Sequence, residues 1–175
     1  MMNKISIVAI CLAFLFVGCR NEDDSFNPED YAPSTSTNKI LPLGASRVEG
    51  ARPDYESFRY ELWKLLVDSN KEFDYIGTNR DDADYPNYMN QDFDIDHEGY
   101  GGFTSEQILE ELETTLQYDI PDIVLLSSPG GNDALNGMSY DNAVDNVNAI
   151  IDALQAANPN VTIVIEQLAL SLIHI

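Results

Sequence analysis

Three short segments of this 175-residue chain hold the residues best suited to chemistry. Gly44-Ala45-Ser46-Arg47-Val48-Glu49-Gly50 sets a serine between two glycines. Ser127-Ser128-Pro129-Gly130-Gly131-Asn132-Asp133 sets an asparagine behind two more. Asp96-His97-Glu98-Gly99-Tyr100-Gly101-Gly102-Phe103-Thr104-Ser105 runs from charged residues into a glycine pair. A serine hydroxyl at such a turn can attack a carbonyl carbon if an adjacent base takes its proton. Taken singly, each residue also has a plain reading. Ser46 and Asn132 are common turn residues, and Gly102 could merely allow a close approach to a helix.

Other candidates fail on spacing. Asp92, Asp94 and Asp96 alternate as in a calcium loop, but the sixth position is His97 rather than Gly and the twelfth is Phe103 rather than Glu. The glycines before Asn132 lack the Gly-Lys-Ser/Thr of a phosphate loop. Asn160-Val161-Thr162 has the form of a glycosylation acceptor but falls in a buried-strand pattern. Cys11 and Cys19 both lie in the first twenty residues, so no disulfide framework or cysteine zinc site is available. No cofactor or metal is expected. Nine Lys+Arg against thirty Asp+Glu give a net charge of −21, which argues against nucleic acid and against docking on anionic lipid.

The elements that must position these residues follow from periodicity. Lys39 to Leu43 is a first strand ending at Gly44. Phe58, Leu62, Leu65 and Leu66 recur at helical spacing, with Asn70 as the stop. Phe73 to Gly77 is a second strand, and Thr78 to Tyr100 reads as a long polar loop. Thr104 and Gln107 form a capping box for a helix carrying Ile108, Leu109, Leu112 and Leu116. Ile123 to Leu126 is a buried strand, Val144 to Leu154 a long helix, and Val161 to Ile165 a fourth strand. Alternating strands and helices predict an α/β fold with a mostly parallel sheet. In such sheets, functional groups gather beyond the carboxyl ends of the strands, which is where Ser46 and Asn132 fall.

The three segments, in their chain order (Gly44 to Gly50, Asp96 to Ser105, Ser127 to Asp133) and at these strand ends, resemble the blocks of the SGNH hydrolases, also called GDSL esterases, from about Lys39 to Ala169. The resemblance implies a three-layer α/β/α sandwich with a flavodoxin-like sheet in order 2-1-3-4, its fifth strand missing. It implies Ser46 as nucleophile and oxyanion N–H donor, Gly102 as a second N–H donor, and the Asn132 side chain as a third. The sequence departs from the family at Ala45, usually Asp, and at Arg47, usually Leu or Ile. Arg59 to Leu66 and the Asp-His-Glu-Gly segment look most like acetylxylan-esterase-type carbohydrate esterases, so the implied substrate is an acylated carbohydrate or other small ester. The family's histidine comes from a D-x-x-H segment after the fifth strand, beyond this sequence, and His97 is read as a rim or structural residue. The alternative is a non-catalytic binding lipoprotein on the same fold.

The ends of the chain read differently. Lys4 and the apolar run Ile5 to Val17 form a signal peptide, too short to span a membrane. Val17-Gly18-Cys19 resembles a lipobox, so residues 1–18 are expected to be removed and Cys19 lipidated, in the outer membrane of a Gram-negative bacterium. Residues 19–37 read as a disordered tether, and 38–169 as a partial SGNH domain. Leu170-Ser171-Leu172-Ile173-His174-Ile175 is what CTG TCT CTT ATA CAC ATC encodes, the end of a transposase-based sequencing adapter. The tail 170–175 is therefore expected to be non-native, and His174 with it.

Overall fold

The computed structural model describes residues 26–28 and 31–166. The elements in chain order are β1 (Lys39–Gly44), α1 (Ser46–Glu49), α2 (Arg59–Asp68), β2 (Asp74–Tyr75), β3 (Asn79–Arg80), β4 (Asp96–Gly99), α3 (Ser105–Thr115), β5 (Ile123–Ser127), α4 (Gly131–Leu135), α5 (Tyr140–Ala157) and β6 (Thr162–Ile165). The signal peptide, Cys19 and the tail with His174 lie outside the described residues.

β1 is central. It pairs in parallel with β5, and β5 in parallel with β6. Its other side is shared by two short strands. Lys39 and Ile40 face Asp74 and Tyr75 of β2, whereas Leu43 and Gly44 face Glu98 and Gly99 of β4. β3 runs antiparallel on the outside of β4. The expected order 2-1-3-4 is thus present with its second lane split, and the stretch expected as one loop, 78–100, contains β3 and β4. The polar sequence hid β4 because its buried side chains are His97 and Glu98, not aliphatics. Among the described residues, no strand covers the outer edge of β6.

Strand alternation sorts the core into two layers. Leu41, Leu43, Val124 and Leu126 pack against Ile108 and Leu112 of α3 and Ile150 and Leu154 of α5. Ile40 and Tyr75 turn the other way, onto Tyr60 and Trp63 of α2 and onto Phe93. The result is a three-layer α/β/α arrangement. The capping box at the start of α3 forms as expected, with the Thr104 N–H donating to Gln107 Oε1 at 3.0 Å.

Part of the expected tether lies on the domain instead of away from it. The Ser34 N–H donates to Asp119 Oδ2 at 2.6 Å, and the rings of Phe26, Tyr31 and Tyr118 meet edge to face. Asp119 is buried and carries a negative charge that must be met by donors, here Ser34 and the Lys39 ammonium at 2.7 Å. Composition alone does not reveal such an anchor.

Candidate active site

The carboxyl ends of three strands are level. Gly44 is in register with Gly99 on one side and with Ser127 on the other. Ser46, Gly102 and Asn132 therefore follow their strands by two, three and five residues, over one edge of the sheet. This places all three sequence-predicted residues at the same edge.

Ser46 opens α1, directly after β1, and is partly exposed. Its hydroxyl has no hydrogen-bond partner among the described residues, so no base is seated on it. The loop after β4 presses on this turn. A Cβ on Gly99 would come within 2.4 Å of the Glu49 backbone nitrogen, which no backbone tolerates. Gly102 is different: its φ is +83° and a Cβ there would meet nothing within 4 Å. It is a glycine for its left-handed backbone, not for a close approach. The close approach that was the plain alternative for Gly102 is found at Gly99 instead.

Asn132 lies in the first turn of α4, after the left-handed Gly130. Its Nδ2 donates to the Phe103 carbonyl at 2.8 Å. An amide nitrogen carries two protons, so this bond fixes the plane of the group and leaves one N–H for a ligand. Asp133 beside it turns inward and is buried. It accepts the Ser105 N–H at 2.8 Å and the Ser105 hydroxyl at 2.6 Å. A carboxylate there satisfies a first-turn amide of α3 and complements the positive end of its dipole. Adjacent residues thus tie the third segment to the second twice. The sequence gives Asp133 no task, because nothing in the pattern marks it as buried.

The same loop is braced from β4. Glu98 is fully buried and accepts bonds from the Thr78 N–H at 2.7 Å and from the hydroxyl of Tyr100, whose ring stacks on Phe103 at 4.9 Å. Burial pushes its carboxyl up from the ordinary range, against the hydrogen bonds it accepts.

His97 is structural, not a rim residue. It is buried, and its Nδ1 accepts the Gly99 N–H at 3.0 Å, which leaves the ring proton on Nε2. Burial, reinforced by the Arg59 guanidinium, lowers its pKa to about 3. A neutral ring so committed has little capacity to take a proton from Ser46.

On the far flank, Glu166 accepts the Ser127 hydroxyl and pairs with Arg47 at 2.5 Å. Beside it, Phe58, Leu62, Leu125 and Val164 line an open apolar groove of about 340 Å³. Among the described residues, no group of three or more acidic, histidine or cysteine side chains converges to hold a metal, and no helix is long and apolar enough to cross a membrane.

Residues 43–173 match the GDSL-like Lipase/Acylhydrolase family. Solved structures similar to this chain include a family 3 carbohydrate esterase of Clostridium thermocellum, at 35% identity and TM-score 0.59. One from Talaromyces cellulolyticus has 26% identity and TM-score 0.62. A variant acetyl esterase, solved with acetate ion, has 25% identity and TM-score 0.61. Each comparison covers 73% of this chain and 60% of the other, so the chain spans less than two thirds of these relatives. No curated protein matches. With three quarters of its length in the family match and an α/β/α fold shared with SGNH carbohydrate esterases, the chain belongs to the GDSL-like lipase/acylhydrolase family.

Proposed function

We propose that this protein is a serine ester hydrolase acting on an acetylated carbohydrate or another small acyl ester. Ser46 is the nucleophile. The backbone N–H groups of Ser46 and Gly102 and the free N–H of Asn132 Nδ2 receive the oxyanion of the tetrahedral intermediate, where removing one donor costs ~10²–10³ in rate. The observation that carries this reading is the Asn132–Phe103 bond, which orients an amide beside the left-handed glycine and keeps one of its protons available. The carbohydrate part rests on the similarity to two family 3 carbohydrate esterases.

The general base is proposed to come from residues beyond this sequence, as part of a strand and helix that pack on β6 and fill the groove at Phe58 and Val164. The buried, neutral state of His97 and the 60% coverage of the relatives support this. The test is turnover of p-nitrophenyl acetate and release of acetate from acetylated xylan by three proteins. The chain extended through its downstream gene sequence should be active, its Ser46→Ala variant should be inactive, and the 175-residue chain should match the variant. Turnover that survives Ser46→Ala removes Ser46 as the nucleophile. Serine-dependent turnover by the 175-residue chain removes the missing base. An extended chain that stays inactive points to the binding lipoprotein.

We also propose that Cys19 is lipidated and holds the protein to the outer membrane, on the strength of Val17-Gly18-Cys19 after an apolar run. Labelling with radioactive palmitate in a Gram-negative host should vanish in Cys19→Ala; label that persists refutes the anchor.

A further inference from the structure

The turn that presents Ser46 has little of its own to hold it. α1 is four residues long, and so short a helix fixes many dihedrals for few bonds. Its N-cap is Ala45, which has no side-chain acceptor for the first amides. The N–H groups of Val48 and Glu49 return to the Ala45 carbonyl and that of Gly50 to the Ser46 carbonyl. The carbonyls of Val48 and Glu49 lie at the end of the turn, where a helix leaves acceptors unmet.

Both are met by one side chain. Arg59, wholly buried, donates from Nε to Val48 O at 2.7 Å and from Nη2 to Glu49 O at 2.9 Å. Its Nη2 also pairs with Asp81 Oδ2 at 2.6 Å, and Nη1 reaches Ile95 O at 3.4 Å. Asp81 is itself fixed by the Tyr85 hydroxyl at 2.7 Å and the Ala83 N–H at 3.0 Å. A buried ion pair is a poor way to gain stability, because desolvation offsets most of the attraction. What this one does gain is geometry. The planar guanidinium holds its donors in a fixed fork, so the two carbonyls, Asp81 and Ile95 are set relative to one another by a single rigid group. The cation also sits at the negative end of the short helix.

We propose that Arg59 is a positioning residue for Ser46, acting through the Val48 and Glu49 carbonyls. The proposal rests on Ser46 being the nucleophile. Arg59 itself is wholly buried and spends its donors on protein acceptors, so it acts on the ester only through the turn.

The test has two arms. In the 175-residue chain, amide hydrogen exchange is compared between wild type and Arg59→Lys, whose single ammonium cannot serve four acceptors. The Glu49 and Gly50 amides should exchange roughly tenfold faster while those of β5 do not change. Unchanged α1 amides overturn the proposal, as does a rise shared equally by β5, which would make Arg59 a general support of the fold. If Arg59→Lys does not fold, Arg59→Met combined with Asp81→Asn removes the charge without stranding its partner, and the same comparison applies. In the chain extended through its downstream residues, Arg59→Lys should lower kcat by ~10²-fold with KM little changed, the cost of a small misplacement of a reacting group. A rise in KM at constant kcat overturns the positioning role. Full turnover by Ser46→Ala in that protein would instead refute the nucleophile, and the exchange result would then stand as a property of the turn alone.

Discussion

Asp94 and His97 lie three residues apart in the chain and are driven in opposite directions. Burial pushes the Asp94 carboxyl up to about 7, with the Asp74 and Asp96 carboxylates adding to it and the Tyr75 N–H, at 2.6 Å, opposing. Burial and then Arg59 push His97 down to about 3. The consequences for stability have opposite signs. Folded Asp94 keeps a proton that the unfolded chain loses near pH 4, so its contribution to stability falls as pH rises from about 4 to about 7. Folded His97 refuses a proton that the unfolded chain takes near pH 6.5, so its contribution rises with pH from about 3 to about 6.5. Where the windows overlap, the two effects cancel in part. Asp94→Asn keeps an oxygen for the Tyr75 N–H and cannot ionise. Its melting temperature should match wild type at pH 4, exceed it at pH 8, and climb more steeply in between because the His97 effect is no longer masked. An equal offset from wild type at both ends of that range would show that Asp94 is ionised in the fold.

Among the elements, those with aliphatic periodicity were legible and those built on polar side chains were not. β1, β5, α3 and α5 could be read because Leu41, Leu43, Val124, Leu126, Leu112 and Ile150 repeat at the spacing their structure requires. β4 reads Asp-His-Glu-Gly and gave no such signal, yet three of its four residues are buried. Its polar groups are satisfied across space, His97 by the Gly99 N–H and Glu98 by Thr78 and Tyr100, and no local pattern encodes those partners. The site divides in the same way. Ser46, Gly102 and Asn132 stood out because turn residues at strand ends form an ordered set. Arg59 and Asp133 did not, since a charged residue in a sequence is read as solvated unless its partner is known. Both sit where a short or newly started helix needs its end groups met: Arg59 at the last carbonyls of α1, Asp133 at the first amides of α3. The candidate site residues were visible in the sequence, and the side chains that brace them were visible only in the fold.

Over the whole molecule, charge and surface pattern pull against each other. A net charge of −21 keeps copies apart, but that repulsion is screened within ~8 Å at physiological salt. β6 offers a short-range attraction in return. Val164 is 52% exposed and Ile165 48%, one on each face of a strand whose outer backbone edge has no partner among the described residues. The groove beside it adds Phe58, Leu62 and Leu125. An apolar strand with open N–H and C=O groups is a template for pairing with another chain, and a lysine on such an edge is the usual protection. The 175-residue chain should therefore stay dispersed at low salt and self-associate as salt rises, the reverse of an assembly held by opposite charges. Val164→Lys with Ile165→Lys should suppress that association in light scattering without lowering the urea midpoint, because neither side chain is buried. Association that persists undiminished in the double variant, or that weakens with added salt in the wild type, would place the sticky surface away from β6.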